Sequence, residues 1–209
     1  MTPQDGSAQT GVRREYLILH GFENERPEGH WQRWLADELG AEGHGVHYPQ
    51  LPEPYAPVPA DWAAAIEAEL DGTDPDAVVV VAHSLGCVAW IDYARRHAER
   101  AASEGGDAKL AHRVLLVSPP SSKVLASIPA LEAFVIDAPA AIVADALAAT
   151  STERAHLVVG EADPYTPEGI EVAYADPYDL EVSVVPGGGH LTMDDGFGPL
   201  PIVLELATA

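Results

Sequence analysis

The 209-residue sequence predicts a three-layer α/β sandwich built on a mostly parallel six-stranded sheet. Three observations carry that expectation. Six short runs rich in β-branched and other apolar residues recur along the chain, and helical patterns separate them. The most continuous run, Ala77 to Ala82, is apolar throughout, as a strand covered on both faces requires. Strands that alternate with helices imply crossover connections, which stack helices on both faces of a parallel sheet.

Tyr16 to Leu19 is the first predicted strand. Trp31, Trp34, Leu35 and Leu39 then recur at three- and four-residue intervals, one face of a helix. Gly45 to Tyr48 is the second strand. The following stretch, Pro49 to Ala60, holds Pro49, Pro52, Pro54, Pro57 and Pro59, which stiffen a loop expected to wall the site. Trp62, Ile66 and Leu70 mark the next helix, Ala77 to Ala82 the third strand, and Leu85 to Arg100 the third helix. Arg113 to Val117 is the fourth strand. More chain than one crossover helix consumes separates it from Ala155 and includes Leu125, Ile128, Leu131, Phe134 and Val135. This excess reads as a small cap, with a plain loop as the alternative, before a helix at Ala140 to Ala148. Strands at Ala155 to Gly160 and Glu181 to Val185 flank a short helix at Pro167 to Ala175, and Leu200 to Leu206 closes the chain. With strand order 2-1-3-4-5-6 the sheet reverses direction between its first and third strands, where open α/β sheets place their sites. Those strands end at HGFEN (His20 to Asn24) and AHSLGC (Ala82 to Cys87).

The length suits one domain with one continuous core, expected over residues 14–209, after a flexible tail at residues 1–13. No apolar stretch approaches the roughly 20 residues of a membrane span, and the first residues lack an apolar signal region, so a cytoplasmic protein is expected. The lone cysteine, Cys87, excludes an internal disulfide and a cysteine-based zinc site, and reads as a small buried hydrophobe. His44 and His47 would face opposite sides of a strand and make no metal pair; no metal or cofactor is expected. The 33 acidic and 11 basic residues give a net charge of −22, which repels nucleic acid and anionic membranes. Only Lys109 and Lys123 are lysines, a composition that resembles salt-adapted cytoplasmic proteins.

The chemistry concentrates at three strand ends. Ser84 lies between an apolar strand and a helix, where a sharp turn exposes a hydroxyl beside free helix N–H groups, although Ala82 stands where the G-x-S-x-G pattern has its first glycine. Asp163 follows the fifth strand and His190 follows the sixth, after Gly187, Gly188 and Gly189, which allow the chain to turn back. Each alone could be ordinary: a helix cap, a turn before Pro164, a loop histidine. Together they stand in the order Ser, Asp, His of the α/β-hydrolases, and predict a nucleophile, an orienting acid and a general base. Asp194, Asp195 and Glu161 are the rivals to Asp163. The N–H groups of Leu85 and Phe22 are the expected oxyanion donors. His83 is expected to pack locally with its side chain away from Ser84.

HGFENERPEGHW (His20 to Trp31), AHSLGC, GEADPYTP (Gly160 to Pro167) and PGGGH (Pro186 to His190) together resemble the small serine hydrolase family that includes retinoblastoma-binding protein 9 and the bacterial YdeN proteins. The resemblance spans nearly the whole chain after the tail. It implies a compact α/β-hydrolase fold with a triad at Ser84, Asp163 and His190, and places Asn24, His30 and Trp31 beside the substrate pocket. The expected activity is hydrolysis of small acyl esters, with amide or short-peptide bonds as further substrates. A protein-binding module that retains the fold and an acyltransferase are the alternatives; no protein partner is indicated.

Overall fold

A computed structural model describes residues 12–209; residues 1–11, most of the expected tail, lie outside the described residues. The sheet contains six parallel strands in the order β2-β1-β3-β4-β5-β6: β1 (Glu15–Leu19), β2 (Gly45–His47), β3 (Val78–His83), β4 (Arg113–Val117), β5 (His156–Gly160) and β6 (Glu181–Val185). The predicted order and all six predicted strands are observed, with ends differing by a residue or so. The α/β fold class is therefore as expected.

Side-chain alternation along the strands divides the core in two. Tyr16 and Ile18 of β1, Val79 and Val81 of β3 and Leu115 and Val117 of β4 pack on one face. They meet Trp31, Leu35 and Leu39 of α1 (Trp31–Ala41) and Val203 and Ala207 of α7 (Pro201–Thr208). Leu17, Leu19, Val78, Val80 and Ala82 face the other way, against α2 (Pro59–Leu70), α3 (Leu85–Glu104) and α5 (Ala140–Thr150), which contribute Trp62, Ile66, Trp90, Val143 and Leu147. β3 is buried at every position, whereas β6, at the edge, is buried at none.

The long β4–α5 connection is a folded segment. Ser121 caps α4 (Ser122–Ser127) by accepting from the Val124 N–H at 3.4 Å, and a 3-10 turn follows at Glu132–Phe134. Leu125, Leu131 and Phe134 are buried against the α2–α3 side of the core, so their apolar character reflects packing. The short helix expected at Pro167 to Ala175 is instead a π-type turn at Glu171–Ala175 that runs into α6 (Asp176–Tyr178).

Candidate active site

The β3–α3 connection is a single residue, Ser84, with φ 53° and ψ −125°. A non-glycine residue there is strained, and the strain is held by its surroundings. The Ser84 N–H donates to the Val117 carbonyl at 2.9 Å, while α3 lies close against the end of β1 at Gly86. Only glycine fits at position 86: a Cβ would stand 2.6 Å from the His20 carbonyl oxygen and 2.8 Å from that of Leu19. Ala82 needs no such freedom, because its methyl group is buried in the core beneath the turn. Cys87 is buried too, its thiol pushed far up by burial, which makes it inert packing.

The structure brings Ser84, His190 and Asp163 together. His190 Nε2 lies 2.9 Å from Ser84 Oγ, and its Nδ1 lies 3.0 and 2.9 Å from the two Asp163 oxygens. Because a carboxylate only accepts, Nδ1–H donates to it and the Nε2 lone pair faces the serine hydroxyl. The Tyr165 N–H donates to Asp163 Oδ1 at 2.8 Å, holding the carboxylate in place. Both Asp163 and His190 are buried. The loops after β5 and β6 meet backbone to backbone, since Gly160 lies against Gly188 and Gly189 with no room for a Cβ.

The rival acids bind elsewhere. Asp195 Oδ2 accepts the His190 main-chain N–H at 3.1 Å, Glu161 accepts from the Gly187 N–H at 3.0 Å, and Asp194 lines the cavity. Among the described residues none of the three bonds to the His190 ring.

Phe22 and Leu85 line the same cavity as Ser84, and among the described residues neither N–H donates to another backbone group. His20 sets the first of them. Its Nε2 accepts from the Leu51 N–H at 2.8 Å, so its Nδ1–H donates to the Gly21 carbonyl, also at 2.8 Å. The Gly21–Phe22 peptide is planar and trans, so a carbonyl turned toward His20 directs the Phe22 N–H the opposite way. Burial lowers His20 to about 4, which keeps this neutral tautomer at neutral pH.

The proline-rich loop does not wall the pocket as expected. It braces the β1–α1 loop from behind: Pro54 accepts from the Glu23 N–H, Leu51 donates to His20, and Gln50 donates to the Asn24 carbonyl. None of residues 49–60 lines the cavity.

The cavity over Ser84 has a volume of about 630 Å³. Asn24 and His30 line it, whereas Trp31, also expected beside the pocket, does not: it is fully buried between α1 and the sheet. As the first residue of α1 it faces inward, while His30 caps the helix by accepting from the Gln32 N–H at 3.2 Å. Burial, followed by the neighbouring His20 and His190, lowers His30 to about 4. The apolar wall comes partly from the β4–α5 segment through Pro120, Ile128 and Leu131, and partly from Tyr165 and Met193. Tyr165 was not anticipated; its ring lies 4.3 Å from that of His190. His83, expected to pack locally with its side chain away from Ser84, is buried; its ring lies 5.2 Å from the His190 ring and its Nε2 lies 3.1 Å from the His190 carbonyl. The strand alternation that turns it from Ser84 gives no warning that the loop after β6 folds back over it. A second cavity of about 610 Å³, among Arg13, Arg14, His44 and Arg113 at the other end of the sheet, contains no serine beside a base.

A parallel sheet in this order, with a serine on a strand-to-helix elbow and a histidine and an acid arriving on later strands, defines an α/β-hydrolase. The profile of the family described as serine hydrolase matches residues 16–209, and the chain belongs to that family. It is 26% identical over 198 residues to the YdeN protein of Bacillus subtilis (strain 168), covering 95% of this chain and 96% of that protein. The crystal structure of that ydeN gene product superimposes with a TM-score of 0.74 at 23% identity, over 92% of this chain and 96% of the other. A YdeN-like protein of Pectobacterium atrosepticum gives 0.65 at 20% identity, over 93% and 88%. A more distant fold relative belongs to work on carboxylesterases of Nitrososphaera gargenis, with a TM-score of 0.56 at 10% identity over 94% and 87%. Among the described residues no helix is long and apolar enough to cross a membrane.

Proposed function

We propose that the chain hydrolyses carboxylic esters of small acyl groups through a Ser84–His190–Asp163 triad, with no cofactor. The observation that carries this reading is the unbroken chain from Ser84 Oγ through the His190 ring to Asp163, with both links at 3.0 Å or less. A serine hydroxyl becomes a competent nucleophile when a positioned base removes its proton as it attacks. Ser84 Oγ adds to the acyl carbon and its proton passes to His190 Nε2, while Asp163 stabilises the imidazolium and preserves its orientation. The negative charge that forms on the carbonyl oxygen meets the Phe22 and Leu85 N–H groups, whose fixed directions require no reorganisation. Collapse expels the alkoxide, which takes the proton from His190, and leaves an acyl group on Ser84. Water then repeats the sequence, with His190 as base, to release the acid.

The cavity supports small, uncharged substrates. Pro120, Ile128, Leu131 and Met193 offer an apolar wall to an acyl chain, while Glu23, Asp194 and Asp195 are its charged lining residues. A substrate carrying its own carboxylate would meet only like charge there. The carboxylesterase relative is in keeping with ester cleavage; amides, with a poorer leaving group, are the slower substrates of the same site. The net charge of −22 supports a salt-rich cytoplasm as the setting.

A fluorophosphonate probe tests the reading directly, because only an activated serine reacts. Folded protein is expected to label at Ser84, and labelling is expected to vanish in Ser84→Ala, to fall steeply in His190→Ala, and to be absent after heat unfolding. No labelling across neutral pH and high salt would overturn the hydrolase mechanism.

A further inference from the structure

We propose that His83 and Asp195 are positioning residues that clamp the main chain of His190 from both sides and so hold its ring between Asp163 and Ser84. The inference rests on the hydrolase reading, since it assigns a purpose to holding that ring. The His190 N–H donates to Asp195 Oδ2 at 3.1 Å, and the His190 carbonyl lies 3.1 Å from His83 Nε2. A carbonyl only accepts, so His83 Nε2 carries the proton and donates. Both polar groups of the peptide backbone at His190 are thus held by side chains, one from β3 and one from the histidine's own loop.

Each partner is itself fixed. Asp195 Oδ2 also accepts the Thr192 N–H at 3.0 Å and the Thr192 hydroxyl at 2.7 Å, tying residues 190–195 into one closed turn. Burial works against its ionisation, but those bonds from Thr192 and His190 outweigh it and hold the carboxyl below the usual range. His83 is enclosed by Trp31 at 5.4 Å and His30 at 5.3 Å between ring centres. Its Nδ1 is buried with no hydrogen-bond partner among the described residues. An apolar ring would fill this space without leaving a nitrogen unpaired, so the bond to His190 is what the histidine supplies.

The need follows from the location of His190. It sits one turn past β6, the half-exposed edge strand, on a turn whose Gly187 and Gly189 have positive φ. A shift of about 1 Å at a reacting group costs on the order of 100-fold in rate. The clamp opposes that shift through the main chain of His190.

Four variants test it: His83→Phe, which keeps the ring and deletes the donor; His83→Gln, whose amide N–H reaches the same place; Asp195→Ala; and Asp195→Asn, which keeps a neutral acceptor oxygen. The readouts are kcat and KM on a short acyl ester, fluorophosphonate labelling rate, melting temperature, and the downfield proton resonance of His190 Nδ1–H. His83→Phe and Asp195→Ala are expected to lower kcat and labelling 10- to 100-fold with KM changed less than threefold, and to broaden that resonance. His83→Gln and Asp195→Asn are expected to recover about half of the loss on a logarithmic scale. If either severe variant fails to fold, its conservative partner decides, with a three- to tenfold loss expected and wild-type rates overturning the clamp. Folded severe variants with wild-type kcat and a sharp resonance overturn it as well. Failure of the wild-type protein to label would instead strike the hydrolase reading itself, which keeps the two outcomes apart.

Discussion

Replacing Gly86 with alanine tests whether the contact between α3 and β1 sets the nucleophile. The added Cβ would lie 2.6 Å from the His20 carbonyl oxygen and 2.8 Å from the Leu19 oxygen, both backbone atoms with no rotamer to change. Reaching an ordinary 3.4 Å separation requires the start of α3 to move about 0.8 Å. Overpacking against backbone falls near the upper end of the usual range, about 3 kcal/mol, and the better helix propensity of alanine returns about 1. The net loss of about 2 kcal/mol corresponds to about 4–8 °C in melting temperature for a chain of this size. Moving α3 also moves Ser84 and the Leu85 N–H away from the Phe22 N–H, so the labelling rate should fall on the order of 100-fold. Gly40→Ala is the internal comparison. Its Cβ meets nothing within 4 Å, and it should stabilise the helix by about 0.5–1 kcal/mol with unchanged labelling. Calorimetry and probe kinetics on both variants decide. A Gly86→Ala protein as stable and as reactive as the parent would refute the idea that this contact places the serine.

Asp163→Asn should fold and lose on the order of 10⁴ in kcat, because the amide favours the wrong imidazole tautomer, while Asp194→Asn stays near wild type; ester turnover by the pair checks this. Stability should decline as pH falls from 6.5 toward 4. His20 and His30 are held at about 4 in the folded chain against an ordinary 6.5, so the unfolded chain takes up protons first. Each ring accounts for up to about 3 kcal/mol of stability, present above pH 6.5 and lost across that interval, and denaturant titrations at pH 7.5 and 4.5 would contradict it by agreeing. Molar potassium chloride should raise the melting temperature, because the Debye length shrinks to about 3 Å at 1 M and relieves the repulsion of the −22 charge; an unchanged or lower value removes the case for salt adaptation.

What could be read in advance followed from periodicity and chain order. β4 and β6 were predicted at their observed bounds because apolar β-branched runs there stop at polar or proline residues. Ser84, Asp163 and His190 were legible because strand ends converge on one edge of a parallel sheet, whatever the loops do. The errors share a different cause. The six residues of α4 are too few to show a helical period, and Trp31 is fully buried although it belongs to a motif that borders the pocket, since a motif does not encode exposure. The roles of His20, His83 and Asp195 depend on hydrogen bonds across distances of 31, 107 and 5 residues, which composition and spacing do not encode.

The position of His190 beyond β6 ties the proposed triad to a half-exposed margin of the sheet. Every residue of β3, which presents the serine, is buried, whereas none of β6 is. Edge strands of this kind open by local fluctuations at a fraction of the global unfolding free energy. An opening confined to β6 and its glycine turn would disperse the histidine while the other five strands stayed paired. Operational lifetime would then be governed by peeling at one margin, well before melting of the whole chain. Hydrogen exchange at residues 181–190 would therefore gauge shelf life better than a calorimetric midpoint, and reinforcement of that margin would lengthen working life even where it left the midpoint unchanged.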